Sequence, residues 1–211
     1  MFYFLDVMMR DYLLYFLLLI IIVILSLLEP MSSDWFMYDR AAIADGQLWR
    51  LVSAHFVHLS PMHMLGNATG VVLLAYIAGR YLNNLLGLLL LTWCLLVVGI
   101  GLYCYAGYLQ RYVGLSGVLH GLLLVAPFIS EFYSRRIAAC FLIVIVAKVI
   151  WEQSPFYDDM AMLGMIGGRV EANAHLLGVV AGIVFLAIYY GLKKIKAVRL
   201  KNEVISGGES K

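Results

Sequence analysis

Charge is scarce in this chain: Asp, Glu, Lys and Arg make up 13% of its residues, about half the share of an ordinary soluble domain. With 64% hydrophobic residues and a mean hydropathy of +0.91, that shortage excludes a water-solvated fold and points to a lipid bilayer as partner. Nucleic acid is not among the expected partners. Cysteine is nearly absent too. Cys94, Cys104 and Cys140 lie in or beside apolar runs with no metal-ligand spacing, so free packed thiols are expected. Paired carboxylates inside the apolar runs are missing, which argues against a transporter. Long repeats and low-complexity tracts are missing as well, and 211 residues suffice for one helical bundle rather than two domains.

What is present is a series of six apolar segments, roughly Tyr12–Leu28, Met62–Gly79, Leu85–Tyr105, Leu115–Ile129, Ile137–Ile150 and Ala172–Tyr190. Several are shorter than the ~20 residues of a straight membrane span, so their ends are soft. The first closes on "SLLEP" without a small-x-small cleavage site and is read as a retained helix. The expected fold is an all-α membrane protein, a six-transmembrane-helix bundle over residues 1–192 with a loop at about 29–61. Residues 193–211 read as a flexible basic tail.

The few charges orient the bundle. Six spans put both termini on one side, which collects ten bases: Arg10, Arg80, Arg135, Arg136, Lys193, Lys194, Lys196, Arg199, Lys201 and Lys211. The opposite side has four, Arg40, Arg50, Arg111 and Arg169. This asymmetry predicts cytoplasmic termini. Lys148 remains, inside segment five, with Glu152 one turn on as a partner.

Polar residues inside apolar helices are expensive and mark function. Ser116 opens segment four, His175 opens segment six, and His63 and Asn67 stand in the first turns of segment two. At about 1.5 Å per residue all four fall within roughly 10 Å of the outer boundary. Segment four also carries Gly117 and Gly121, and segment six Ala174, Gly178 and Gly182. Such stripes let helix backbones approach closely, and these two segments run in the same direction, so the stripes predict that Ser116 and His175 meet. Each residue alone has a plainer reading as packing material. His55, His58 and His63 also invite a metal site, but no acidic ligand or HExxH pattern accompanies them, and no metal is expected.

The ordered set "GQLWR", "HLSPMHMLGN", "GLSG" and "AHLLGVVAG", from about Gly46 to Gly182, resembles the rhomboid intramembrane serine proteases. The resemblance implies a six-helix bundle around a water-filled cavity, Ser116 as nucleophile and His175 as general base of a Ser-His dyad, and no cofactor. It implies an oxyanion hole from His63, Asn67 and the Ser116 backbone N–H. Trp49 and Arg50 match a structural pair in the first outer loop, and His58 a recurrent buried histidine beside the cleft. A serine hydroxyl needs an adjacent base, and imidazole suits that work near neutral pH. No acid is expected beside His175; Glu171, one turn earlier, reads as a solvated loop-end charge.

Two departures narrow the likeness. His120 stands where many rhomboids have a tyrosine packed on the catalytic histidine, and Arg80 follows Gly79 where an acidic residue is common. The run "GLSGVLHG" resembles instead the rhombosortases, a bacterial branch associated with substrates whose C-terminal anchor is a glycine-rich motif, one transmembrane helix and a basic cluster. That implies an inner-membrane enzyme whose active site opens to the periplasm, processing single-pass proteins of that design. Gly114, Gly117, His58 and His120 are then expected to shape the cleft, with Gly178 and Gly182 structural. Two alternatives remain open: a general rhomboid protease with other substrates, and a non-catalytic rhomboid-like protein that binds membrane clients. Within the site, His120 is a rival base, since four residues place it on the serine's side of one helix.

Overall fold

The computed structural model describes residues 2–208, with side chains from 11 to 201. Six helices of fourteen residues or more form the body: α1 (Phe2–Leu27), α5 (Pro61–Ala78), α6 (Leu85–Tyr105), α7 (Ser116–Ile129), α8 (Arg135–Glu152) and α10 (Ala172–Gly208). Short helices α2 (Met31–Phe36), α3 (Arg40–Ala44) and α4 (Arg50–Ser53) fill the loop before α5, and α9 (Leu163–Ile166) lies between α8 and α10.

Local chemistry sets the helix starts. Ser60 caps α5 by accepting from the His63 N–H at 3.1 Å, with Pro61 at the first helical position. Asn84 and Ser134 cap α6 and α8 in the same way. Among the described residues three helical stretches, Pro61–Leu82, Leu85–Tyr105 and Ala172–Lys201, are long and apolar enough to cross a membrane. The chain is an all-α membrane protein on that ground. Two of the expected segments fall short of that measure for physical reasons. α7 has 14 residues, about 21 Å against a hydrocarbon core of about 30 Å. α8 carries Arg135, Arg136, Lys148 and Glu152. The tail also differs from expectation: α10 continues as helix to Gly208. "LKKIKAVRLKNEV" contains no Gly or Pro, and most of its residues favour helix.

α7 is the central element, packed on α5, α6, α8 and α10. Its contact with α10 runs along the two small-residue stripes. A Cβ on Gly121 would lie 2.6 Å from the Gly178 carbonyl oxygen, and one on Gly117 would lie 2.7 Å from that of Ala174. Backbones this close admit no side chain between them.

The loop before α5 is stitched to the bundle through backbone carbonyls. Arg50 is buried, donating to the carbonyls of Met37 and Asp34 at 2.8 Å each and to the Gln47 side chain at 2.7 Å. Trp49 is half exposed, and its indole N–H reaches the Trp35 carbonyl at 3.2 Å. Arg40 donates to the carbonyls of Leu102, Tyr103, Ala106 and Leu109 at 2.8–3.2 Å. Its guanidinium thereby caps the C-terminus of α6, where orphan carbonyls and the helix dipole favour a cation. Two-residue strands β1 (Tyr38–Asp39) and β2 (Arg111–Tyr112) pair antiparallel, Tyr38 opposite Tyr112. That pairing anchors the loop to the extended stretch that delivers Ser116.

Candidate active site

Ser116 is the first residue of α7 and His175 the fourth of α10. The parallel contact between these helices sets Ser116 Oγ 2.9 Å from His175 Nε2. Gly114 makes the approach to Ser116 possible. Its φ of +114° belongs to glycine, and a Cβ there would lie 2.7 Å from His63 Nε2. The Gly114 N–H donates to the Ala54 carbonyl and its own carbonyl accepts from the Tyr112 hydroxyl, so both sides of the bend are fixed.

The far side of the imidazole holds a residue that reading the sequence missed. His175 Nδ1 lies 2.8 Å from Glu152 Oε2, and Glu152 is 7% exposed. A carboxylate only accepts hydrogen bonds, so Nδ1 carries the proton and Nε2 presents its lone pair to the serine hydroxyl. The expectation of a histidine with no acid beside it is thus corrected by α8, which turns Glu152 inward. Glu171 lies elsewhere, accepting from the Tyr108 hydroxyl at 2.8 Å. The available signal was the Lys148–Glu152 pairing, which the structure contains at 2.7 Å.

Lys148 makes further contacts. Its ammonium lies 2.7 Å from His120 Nε2 and 3.4 Å from His175 Nδ1. His120 Nδ1 is 2.7 Å from the Ser116 carbonyl oxygen. A carbonyl accepts and an ammonium donates, so His120 is neutral with its proton on Nδ1. Its ring stacks on that of His175, centroids 4.2 Å apart at 24°. His120, Glu152 and His175 bring one ligand atom each within 4.8 Å of one another, and Lys148 places a cation of the chain's own against all three. Among the described residues, His55, His58 and His63 form no such group.

His63 and Asn67 line the same cavity as Ser116, His120, Glu152 and His175, a volume of about 1170 Å³. The Asn67 amide donates to the His63 carbonyl at 3.1 Å, while Asn67 Oδ1 and His63 Nδ1 are buried without partners. Gly114, Gly117 and His58 stand behind the residues that line this cavity. Gly114 forms the bend, and Gly117 is covered by Ala174. His58 is fully buried behind His63, ring edge to face at 4.9 Å. Burial, reinforced by His63, pushes its imidazole down to about 3. Gly178 and Gly182 lie against α7, a Cβ on Gly182 falling 2.9 Å from the Gly121 carbonyl oxygen.

A serine at a helix start, a base held in the accepting tautomer and a cavity at membrane-helix ends form a constellation suited to acyl transfer. No curated protein matches the chain. A family model described as the Rhomboid domain matches residues 45–192, which contain every one of these side chains, and the chain belongs to the rhomboid family of intramembrane proteases.

Proposed function

We propose that this protein is an intramembrane serine endopeptidase in which Ser116 is the nucleophile and His175 the general base. The observation that carries this is the 2.9 Å contact from Ser116 Oγ to a His175 Nε2 whose other nitrogen is held by a carboxylate. The oxygen of the tetrahedral intermediate would be met by the Ser116 N–H at the α7 N-terminus, with His63 and Asn67 as side-chain donors. The rival base is less well placed, since both His120 nitrogens are engaged, one by the Ser116 carbonyl and one by Lys148. The intact Ser–His contact likewise favours catalysis over a client-binding role. No metal or organic cofactor enters this chemistry. An active-site fluorophosphonate should label the protein, and mapping should place the adduct on Ser116. Labelling elsewhere, or none in folded protein, would overturn the reading.

The finer reading is a rhombosortase that cleaves single-pass proteins with a C-terminal glycine-rich motif, transmembrane helix and basic cluster. It rests on "GLSGVLHG" and on the stacking of His120, rather than a tyrosine, on His175. In this reading six helices span the bacterial inner membrane, both termini are cytoplasmic, and the cavity opens to the periplasm. A reporter active only in the cytoplasm should be active when fused after Lys211 and silent when inserted near Asp158. The reverse pattern would place the cavity on the inner face.

A further inference from the structure

We propose that Glu152 is a positioning residue for His175, completing a Ser116–His175–Glu152 relay, and that Lys148 holds its carboxylate in place. The inference rests on the protease reading above and extends its Ser-His pair to a third and a fourth side chain. Four contacts carry it: Glu152 to His175 at 2.8 Å, Lys148 to Glu152 at 2.7 Å, Lys148 to His120 at 2.7 Å and His120 to the Ser116 carbonyl at 2.7 Å. With the Ser116 Oγ–His175 Nε2 contact at 2.9 Å they form one closed network around the imidazole, from α7, α8 and α10.

Each member has a separate physical task. A buried carboxylate is costly unless paired, and Lys148 supplies the pair from a partly exposed position, its side chain 44% accessible. Glu152 spends one oxygen on Lys148 and the other on His175, so the ring can neither flip nor move its proton to Nε2. His120 closes the opposite face of the ring by stacking. When Ser116 Oγ attacks a peptide carbonyl carbon, a C–O bond forms, the carbonyl π pair moves to oxygen, and the hydroxyl proton passes to His175 Nε2. The imidazolium then has one anion and, farther off, one cation at its Nδ1 edge. It returns the Nε2 proton to the departing amine as the C–N bond breaks, and a water molecule repeats the cycle to release the acyl group. Glu152 stays ionised throughout and exchanges no proton.

Opposite charges at the Nδ1 edge of one imidazole give the test its sign. The ionisable groups facing His175 are Glu152 and Lys148 from α8, His120 from α7 and His63 from α5. Protonation of His175 disables the base. Glu152→Gln removes an anion that favours protonation, so the acid limb of the fluorophosphonate-labelling rate should move to lower pH. Lys148→Met removes a cation that opposes it, so the limb should move to higher pH. Glu152→Gln should also cut kcat by about 10²- to 10⁴-fold, since a glutamine no longer enforces the tautomer, with KM changed by less than about threefold. Glu152→Asp keeps the charge and should recover at least about tenfold of that loss. The measurement is labelling rate and peptide turnover against pH for purified wild type and the three variants, with melting curves to confirm folding. Unmoved limbs in both Glu152→Gln and Lys148→Met, with Ser116 labelled normally, would overturn the proposal. If Glu152→Gln does not fold, an unmoved limb together with undiminished turnover in folded Lys148→Met overturns it equally. Failure of wild-type Ser116 to take the probe at all would instead defeat the protease reading beneath it.

Discussion

Ser116→Ala is expected to abolish cleavage while expression and membrane insertion continue unchanged. The hydroxyl contributes one contact, to His175 Nε2, and its removal at a glycine-rich helix start leaves almost no cavity. His175→Ala should fall nearly as far, because the members of such a pair act as a unit. Serine proteases lose on the order of 10⁶-fold in kcat when either is removed. The neighbouring histidine should behave differently. His120→Tyr keeps a ring that can stack on His175 and should keep measurable activity, whereas His120→Ala opens a gap beside the His175 ring and removes one of the Lys148 ammonium's contacts, costing more. Turnover of a single-pass substrate in reconstituted vesicles, measured for all four variants, checks the set. An inactive but folded His120→Tyr together with an active His175→Ala would move the base to His120, and full activity in Ser116→Ala would end the protease reading.

Gly178→Val should destroy the site without touching either reacting side chain. A Cβ at Gly178 would fall well inside the van der Waals envelope of the Gly117 carbonyl oxygen. That oxygen belongs to backbone and cannot swing away. Ordinary carbon–oxygen contacts lie at about 3.3–3.6 Å, so α7 and α10 would have to part by more than an ångström. Ser116 immediately precedes Gly117 and His175 lies three residues before Gly178, so both sit on the parted helices beside the contact. A misplacement of about 1 Å can cost about 10²-fold in rate, and overpacking a close interface costs about 1–3 kcal/mol or more in stability. The expected outcome is a lowered melting temperature together with at least a 100-fold loss of fluorophosphonate labelling. Gly191→Val, on the same helix but with open space around its Cβ position, should leave both unchanged. Wild-type labelling in Gly178→Val would show that the helices do not meet along this stripe.

Part of this molecule was legible before any coordinates. Apolar runs separated by charged turns gave the four middle helices to within a few residues, because burial of backbone in lipid leaves helix as the available answer, whereas α1 begins earlier and α10 runs on further than their apolar runs. The stripes Gly117/Gly121 and Ala174/Gly178/Gly182 made the α7–α10 contact readable, since few physical reasons other than close approach place small residues every fourth position in an apolar helix. Ser116, His175, His63 and Asn67 stood out because polar groups are rare there, and the structure brings all four to one cavity.

Glu152 was visible only as the partner of Lys148. α8 is apolar on all sides apart from its ends, so its sequence has no stripe to say which face turns toward α7 and α10. Rotation of a helix about its own axis is decided by packing. Here that packing carries the Glu152 side chain inward against His175, leaves Lys148 half in solvent, and corrects the expectation of a histidine without an acid. Arg40 escaped notice for a related reason, as its four carbonyl partners belong to the end of α6 and the turn after it, more than sixty residues on. Local pattern by itself pointed to the membrane class, to most of the helices and to the meeting of Ser116 with His175 along two small-residue stripes, because each depends on solvent and on spacing within one helix. The order of charges around the imidazole, and the bend at Gly114 that presents the serine, were decided only by the tertiary structure, because they depend on how helices distant in sequence rotate and close on one another.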